Sequence, residues 1–231
     1  MPEFPAQTEK RETHLWENEI SAAVVNFQTP DLLDVAVRSF HGAYPEVPLL
    51  IIDNGSKDKS RTFISALASE LGSGVSTLLL ETNSFHGPAM HQAMCSLKTP
   101  YAYIFDSDTE TLRGGFLEDM WTLLRASERR YGAGHVVRAN RRGFRSEAGT
   151  PVLASAHMLL RRDIYQTLPP FIHHGLPALR NFEAAAEAGL ELCPFPVEEY
   201  VRHDGRGTAA RFGYGLGLRS RIDYVLNRLG L

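Results

Sequence analysis

Asp106 and Asp108 stand on either side of Ser107, where the apolar run Tyr101-Ala102-Tyr103-Ile104-Phe105 stops. A run of this composition reads as a buried strand. Two carboxylates at its end are costly to bury unless a positive charge sits beside them. A divalent cation with oxygen ligands, shared with a substrate phosphate, suits that place. The same residues, read alone, also fit a strand that runs into an acidic, solvated turn. Two more apolar runs end in polar clusters: Asn26-Phe27-Gln28-Thr29 and Asp53-Asn54-Gly55-Ser56. In a parallel sheet such ends share one rim, where ligands collect. A pocket there can bind a nucleotide, with Asp53 accepting hydrogen bonds from a base or ribose. Asp53 to Ser56 equally fits a strand-to-helix turn, with Gly55 at positive φ and a Ser or Asp cap.

The elements that must position these residues follow from the hydrophobic pattern. Ser21 to Phe27 is a strand, and Thr29-Pro30-Asp31 opens a helix with apolar Leu32, Leu33, Val35, Ala36 and Phe40. Leu49 to Ile52 is a strand of the kind buried on both faces of a parallel sheet. A helix from Lys57-Asp58-Lys59-Ser60 to Leu71, a strand over Val75 to Leu80 and a helix over Ala89 to Ser96 come next. The pattern predicts a helix over Phe116 to Tyr131 and a short strand over Gly134 to Val137. Asn140 to Thr150 reads as a mobile loop, and Val152 to Leu160 as a strand. A short helix opens at Arg161, and another spans Leu179 to Ala188 before Gly189. A broken strand covers Leu190 to Val201, and an amphipathic helix runs from about Ser220 to Leu229. Alternating strands and helices specify an α/β domain with a mostly parallel central sheet.

Composition excludes several classes. Of 231 residues, 43% are hydrophobic and 22% charged, as in globular proteins, and the net charge of -3 gives no global bias toward nucleic acid. Cys95 and Cys193 form no metal or redox motif and read as reduced core residues. No apolar run reaches the length of a membrane span. A cytoplasmic location is expected, with residues 1–20 as an N-terminal extension.

Taken together, Val24 to Thr29, Ile52 to Ser60 and Phe105 to Glu110 resemble, in order and spacing, family 2 glycosyltransferases of the GT-A type. The likeness covers about residues 21 to 162, and Asn83 to Gln92 is similar to that family's loop and helix between the acidic motifs. The resemblance implies one GT-A-like, Rossmann-like domain over residues 21–231. Its nucleotide-binding half would cover about 21–110, its acceptor half about 111–208 and a C-terminal helix about 209–231. It implies a UDP- or GDP-linked nucleotide-diphospho-sugar donor. The donor would contact Asn26, Phe27, Thr29, Asp53, Asn83, Pro88, Asp106, Ser107, Asp108 and Arg206. Asp53 would read the base, while Asp106 and Asp108 would serve ribose and Mn2+ or Mg2+. An inverting transfer to an acceptor hydroxyl is expected. A homodimer or peripheral contact through the C-terminal helix is a further expectation.

His203 precedes Gly205-Arg206-Gly207-Thr208. It fits a loop histidine, and it equally fits a third metal ligand, for which imidazole favours Mn2+. Arg206 in its Gly-rich segment would then lie near the diphosphate. His157, inside an apolar strand, reads as a hydrogen-bonded core or pocket residue. The Glu-Asp pair of many such enzymes is missing after the Val152 to Leu160 strand. The region instead offers His173, His174 and Glu183, with His174 and Glu183 as the base candidates. That gap supports a noncatalytic nucleotide-sugar-binding protein as the alternative reading. A nucleotidyltransferase is the second, although Gln28-Thr29-Pro30 is not a phosphate loop.

Overall fold

The computed structural model describes residues 18–141, 144–172 and 177–203. A seven-stranded sheet has the order β3-β2-β1-β4-β7-β6-β8. Its strands are β1 (Ile20–Asn26), β2 (Leu49–Asp53), β3 (Val75–Leu79), β4 (Tyr101–Asp106), β6 (Arg130–Ala139), β7 (Thr150–Arg161) and β8 (Glu191–Pro194). β3, β2, β1 and β4 run parallel. β7 lies antiparallel between β4 and β6, and β8 is parallel to β6. A two-stranded antiparallel ribbon, β5 (Thr109–Thr111) and β9 (Val201–His203), stands apart from the sheet.

Continuous apolar runs form β1, β2 and β4 because each strand feeds two cores. Val24, Leu49, Ile51, Tyr103 and Phe105 face one, where they meet α1 (Pro30–Ala43), α2 (Ser60–Leu71) and α4 (Phe116–Arg125). Ala23, Val25, Leu50, Ile52 and Ile104 face the other, against α3 (His86–Ser96) and α6 (Leu179–Glu187). α5 (Arg162–Tyr165) is a single turn after β7. Phe40 of α1 stacks on Phe105 with ring centroids 4.9 Å apart. The first core therefore packs directly beneath the end of β4.

Several boundaries differ from the sequence reading. The helix after Phe116 stops at Arg125, and β6 runs from Arg130 to Ala139. Gly132 lets β7 approach closely: a Cβ there would meet Leu160 at 2.6 Å and Leu153 at 2.8 Å. Asn140 to Thr150 is the connecting end of the β6–β7 hairpin. Its described residues are tied by Asn140 N–H to Phe144 O and Ser146 N–H to Arg138 O. Cys95 is exposed rather than core, since α3 turns Ala93 and Met94 inward; only Cys193 is buried. Val35 is likewise exposed, with Leu33, Ala36, Val37 and Phe40 making the buried stripe of α1. Ile20 belongs to β1, paired with Tyr101, so it is part of the sheet and not of the extension. The C-terminal helix lies outside the described residues. No helix among the described residues is long and apolar enough to cross a membrane.

Candidate active site at the carboxyl rim

Register brings the polar strand ends together. Asn26 lies opposite Asp53, and Val25 opposite Asp106, so β1, β2 and β4 end on one rim. Asp53 is fully buried and acts as the hub of the β1–β2 side. One oxygen accepts from Asn26 Nδ2 at 3.2 Å and from the Ser56 hydroxyl at 2.5 Å. The other accepts from Ser56 N–H at 3.1 Å. Ser56 Oγ in turn accepts from Gln28 N–H at 2.9 Å, which holds Gln28 at φ 56. Thr29 donates to Asn26 Oδ1 at 3.1 Å, and its hydroxyl is 3.3 Å from that of Ser107. Phe27, between Asn26 and Gln28, is half-buried on the same loop.

The loop after β3 closes over β2. Asn54 Nδ2 donates to Asn83 Oδ1 at 3.1 Å and to Phe85 O at 3.2 Å, while Asn54 Oδ1 accepts from Ser84 N–H at 3.0 Å. Gly55 makes this closure possible. Its φ is +73, and a Cβ there would run into the backbone of Thr82 and Asn83. Phe85 then precedes α3 with φ 69 and ψ 168, a region open in practice to glycine alone and costing other residues about 1–3 kcal/mol. Half-buried Pro88 lies in the first turn of α3.

The acidic pair is completed by a distant segment. β9 pairs with β5, setting His203 opposite Thr109. His203 Nε2 thereby lies 3.2 Å from Asp108 Oδ1. One ligand atom each from Asp106, Asp108 and His203 falls within a 4.8 Å group. Two carboxylates and an imidazole at that spacing fit a divalent cation. Asp106 Oδ1 is out of contact with solvent, with His86 Nε2 3.3 Å away.

Two histidines not assigned to the site from sequence flank this group. His86, at the start of α3, faces Asp106 with Nε2 3.3 Å from Oδ1, close in charge but without hydrogen-bond alignment. Burial pushes the His86 imidazole down, but the Asp106 carboxylate outweighs it and the net shift is upward. Burial pushes the Asp106 carboxyl up, but His86, and after it His157 and His203, bring it below its ordinary value. His157 sits opposite Phe105, with Nδ1 3.0 Å from the Tyr103 hydroxyl and its ring 6.0 Å from that of His203. Burial lowers its pKa to about 4, so it is neutral. The sequence signal for His86 was its place in the loop between the acidic motifs, but its partner is set only by how α3 docks. Glu183 lies half-buried on α6 and does not join the acidic group. His174 and Arg206 lie outside the described residues.

Known proteins match this arrangement at the level of fold and family. No curated protein matches the chain in sequence. Among solved structures, a mannosyltransferase from Pyrobaculum calidifontis, in complex with GDP-Man and Mn2+, superposes with a TM-score of 0.61 at 13% identity; the match covers 77% of this chain and 55% of that one. TarS from S. aureus, residues 1–349 in complex with UDP-GlcNAc, gives a TM-score of 0.60 at 14% identity over 81% of this chain and 59% of that one. The chain thus spans little more than half of each of these two structures, and 36% of the longer TarS chain. The model for "Glycosyl transferase family 2" matches residues 21–187, from the second residue of β1 to the last of α6. With most of its length inside that match, the chain belongs to glycosyl transferase family 2.

Proposed function

We propose that the protein is a metal-dependent, inverting glycosyltransferase that moves a sugar from a nucleotide-diphospho-sugar to an acceptor hydroxyl. The observation that carries this reading is the Asp106–Asp108–His203 group, set on the same rim as the Asp53 network. The complexes of the two similar structures, with GDP-Man and Mn2+ and with UDP-GlcNAc, support a GDP- or UDP-linked donor here. Asp106, Asp108 and His203 would hold Mn2+ or Mg2+, and a bound cation there supplies Lewis-acid stabilisation of the departing diphosphate. Ser107, whose hydroxyl is 3.3 Å from that of Thr29, would contact the same donor. Asn26, Phe27, Thr29, Asn83 and Pro88 would contact the nucleoside side of the donor. Asp53 would read the base through Oδ2, which accepts the Ser56 N–H and keeps a second acceptor site.

A direct displacement needs a base for the acceptor proton. Glu183 and His174 are the candidates, and Arg206 is the candidate guanidinium for the diphosphate. A panel of UDP- and GDP-sugars, assayed for nucleoside diphosphate release with and without Mn2+, tests the function. Release with one donor, lost on chelation, is the expected result. Tight donor binding with no release in the presence of varied sugar acceptors would favour a noncatalytic binding protein.

A further inference from the structure

Phe85 combines three properties that rarely meet. Its backbone, at φ 69 and ψ 168, occupies conformational space in which glycine is the relaxed choice. The residue is 56% exposed, so burial repays only part of that strain. Its place is also fixed on both sides: Asn83 Oδ1 accepts from Phe85 N–H at 2.8 Å, and Asn54 Nδ2 donates to Phe85 O at 3.2 Å. Strain that the surroundings over-determine, next to a rim of converging polar groups, is characteristic of a residue kept for contact with a ligand.

The anchors say which part of a ligand the ring would meet. Asn54 directly follows Asp53 at the end of β2, whereas the next residue, His86, faces Asp106. On the reading proposed above, Asp106 marks the diphosphate side and Asp53 the nucleoside side. Phe85 is tied to the latter. A phenyl group whose backbone is pinned at that position suits a planar ligand group, and bases stack on aromatic rings whatever their hydrogen-bonding edge. We propose that the Phe85 ring is a stacking platform for the donor's nucleobase, so that it contributes affinity for the nucleoside while Asp53 and its neighbours govern which base is accepted. This inference rests on the nucleotide-sugar reading of the site.

The test uses the full chain, with UDP, GDP and inorganic pyrophosphate as probes, each in the presence of Mn2+. Phe85→Ala and Phe85→Gly should each weaken binding of the nucleoside diphosphate that the wild type prefers by about tenfold, and pyrophosphate binding should stay unchanged. Phe85→Trp should keep the affinity, and its added indole fluorescence should be quenched on nucleotide binding. Thermal melts provide the second readout. In unstrained positions alanine is the more stabilising residue, but here Phe85→Gly should melt about 2–4 °C above Phe85→Ala, because only glycine relaxes the backbone. Equal weakening for pyrophosphate, or unchanged nucleotide affinity in both small variants, would overturn the platform. If the wild type binds pyrophosphate but neither UDP nor GDP, the nucleotide reading itself falls, and the platform falls with it.

Discussion

Asp108 carries the most specific expectation at the scale of single residues. It is buried and lies beside His203, within the three-residue ligand group. Asp108→Asn keeps the volume but removes a charge from the group proposed to hold the metal. Mn2+ affinity measured by calorimetry should fall by tenfold or more, with the melting temperature little changed. An unaltered affinity would remove Asp108 from the site. His157 gives a pH signature. Its pKa is about 4 in the folded chain against an ordinary 6.5. Between those values the unfolded chain takes up a proton that the folded chain refuses. Its contribution to stability is therefore full above about pH 6.5 and falls as the pH drops toward 4, by up to roughly 3 kcal/mol. His86 works in the opposite sense, its raised pKa favouring the fold at lower pH. Comparing wild type with His157→Gln isolates the His157 contribution, because His86 is common to both. Denaturant melts from pH 7 to pH 4 should converge for the two proteins at the acid end. A constant gap would place the His157 proton outside the folding equilibrium.

At the scale of elements, the Asp53-Asn54-Gly55-Ser56 turn shapes the β2 end of the rim. Gly55→Ala would combine a positive φ with a clash against main chain that cannot rotate away. The expected cost is at least about 2 kcal/mol, read as a melting temperature lower by about 5 °C or more. A melt within 1–2 °C of wild type, roughly the sensitivity set by the same scaling, would mean the loop over β2 yields easily. The elements also explain what could be read from the sequence. β1, β2 and β4 were legible because burial on two faces writes an unbroken apolar run. Their polar ends, hence Asp53, Asp106 and Asp108, were legible with them. Of β6 only Gly134 to Val137 was legible; its first residues read as the end of the preceding helix, because Gly132 and Gly134 interrupt the strand pattern where β7 packs against it. His203 could be proposed from its neighbours, but its approach to Asp108 depends on the β5–β9 ribbon, which has no local signature. His86 and the strain at Phe85 belong to the docking of α3, a tertiary event that no spacing encodes.

For the whole molecule, the site joins the parallel half of the sheet to a segment near the end of the described chain. A ligand held by both should stabilise the fold by mass action. Mn2+ with the preferred nucleoside diphosphate, at a hundred times its dissociation constant, should add about 2.7 kcal/mol. For a chain of this size the melting temperature should rise by about 5–10 °C. Scanning calorimetry with each component alone and then together measures this. If nucleotide with EDTA gave the full rise, the metal would be dispensable for binding. The same experiment on Asp108→Asn should lose the metal-dependent part.

The ribbon that brings His203 to Asp108 spans 95 positions of sequence. On a ribosome adding about 5–20 residues per second, the acidic pair emerges roughly 5–20 s before its imidazole partner. Through that interval β1, β2, β3 and β4 can already pair, while the two carboxylates stand without His203. The site is thus assembled by the last described strand of the chain. Arrested nascent chains of increasing length should therefore gain Mn2+ affinity only once β9 has emerged, later than the pairing of β1 to β4.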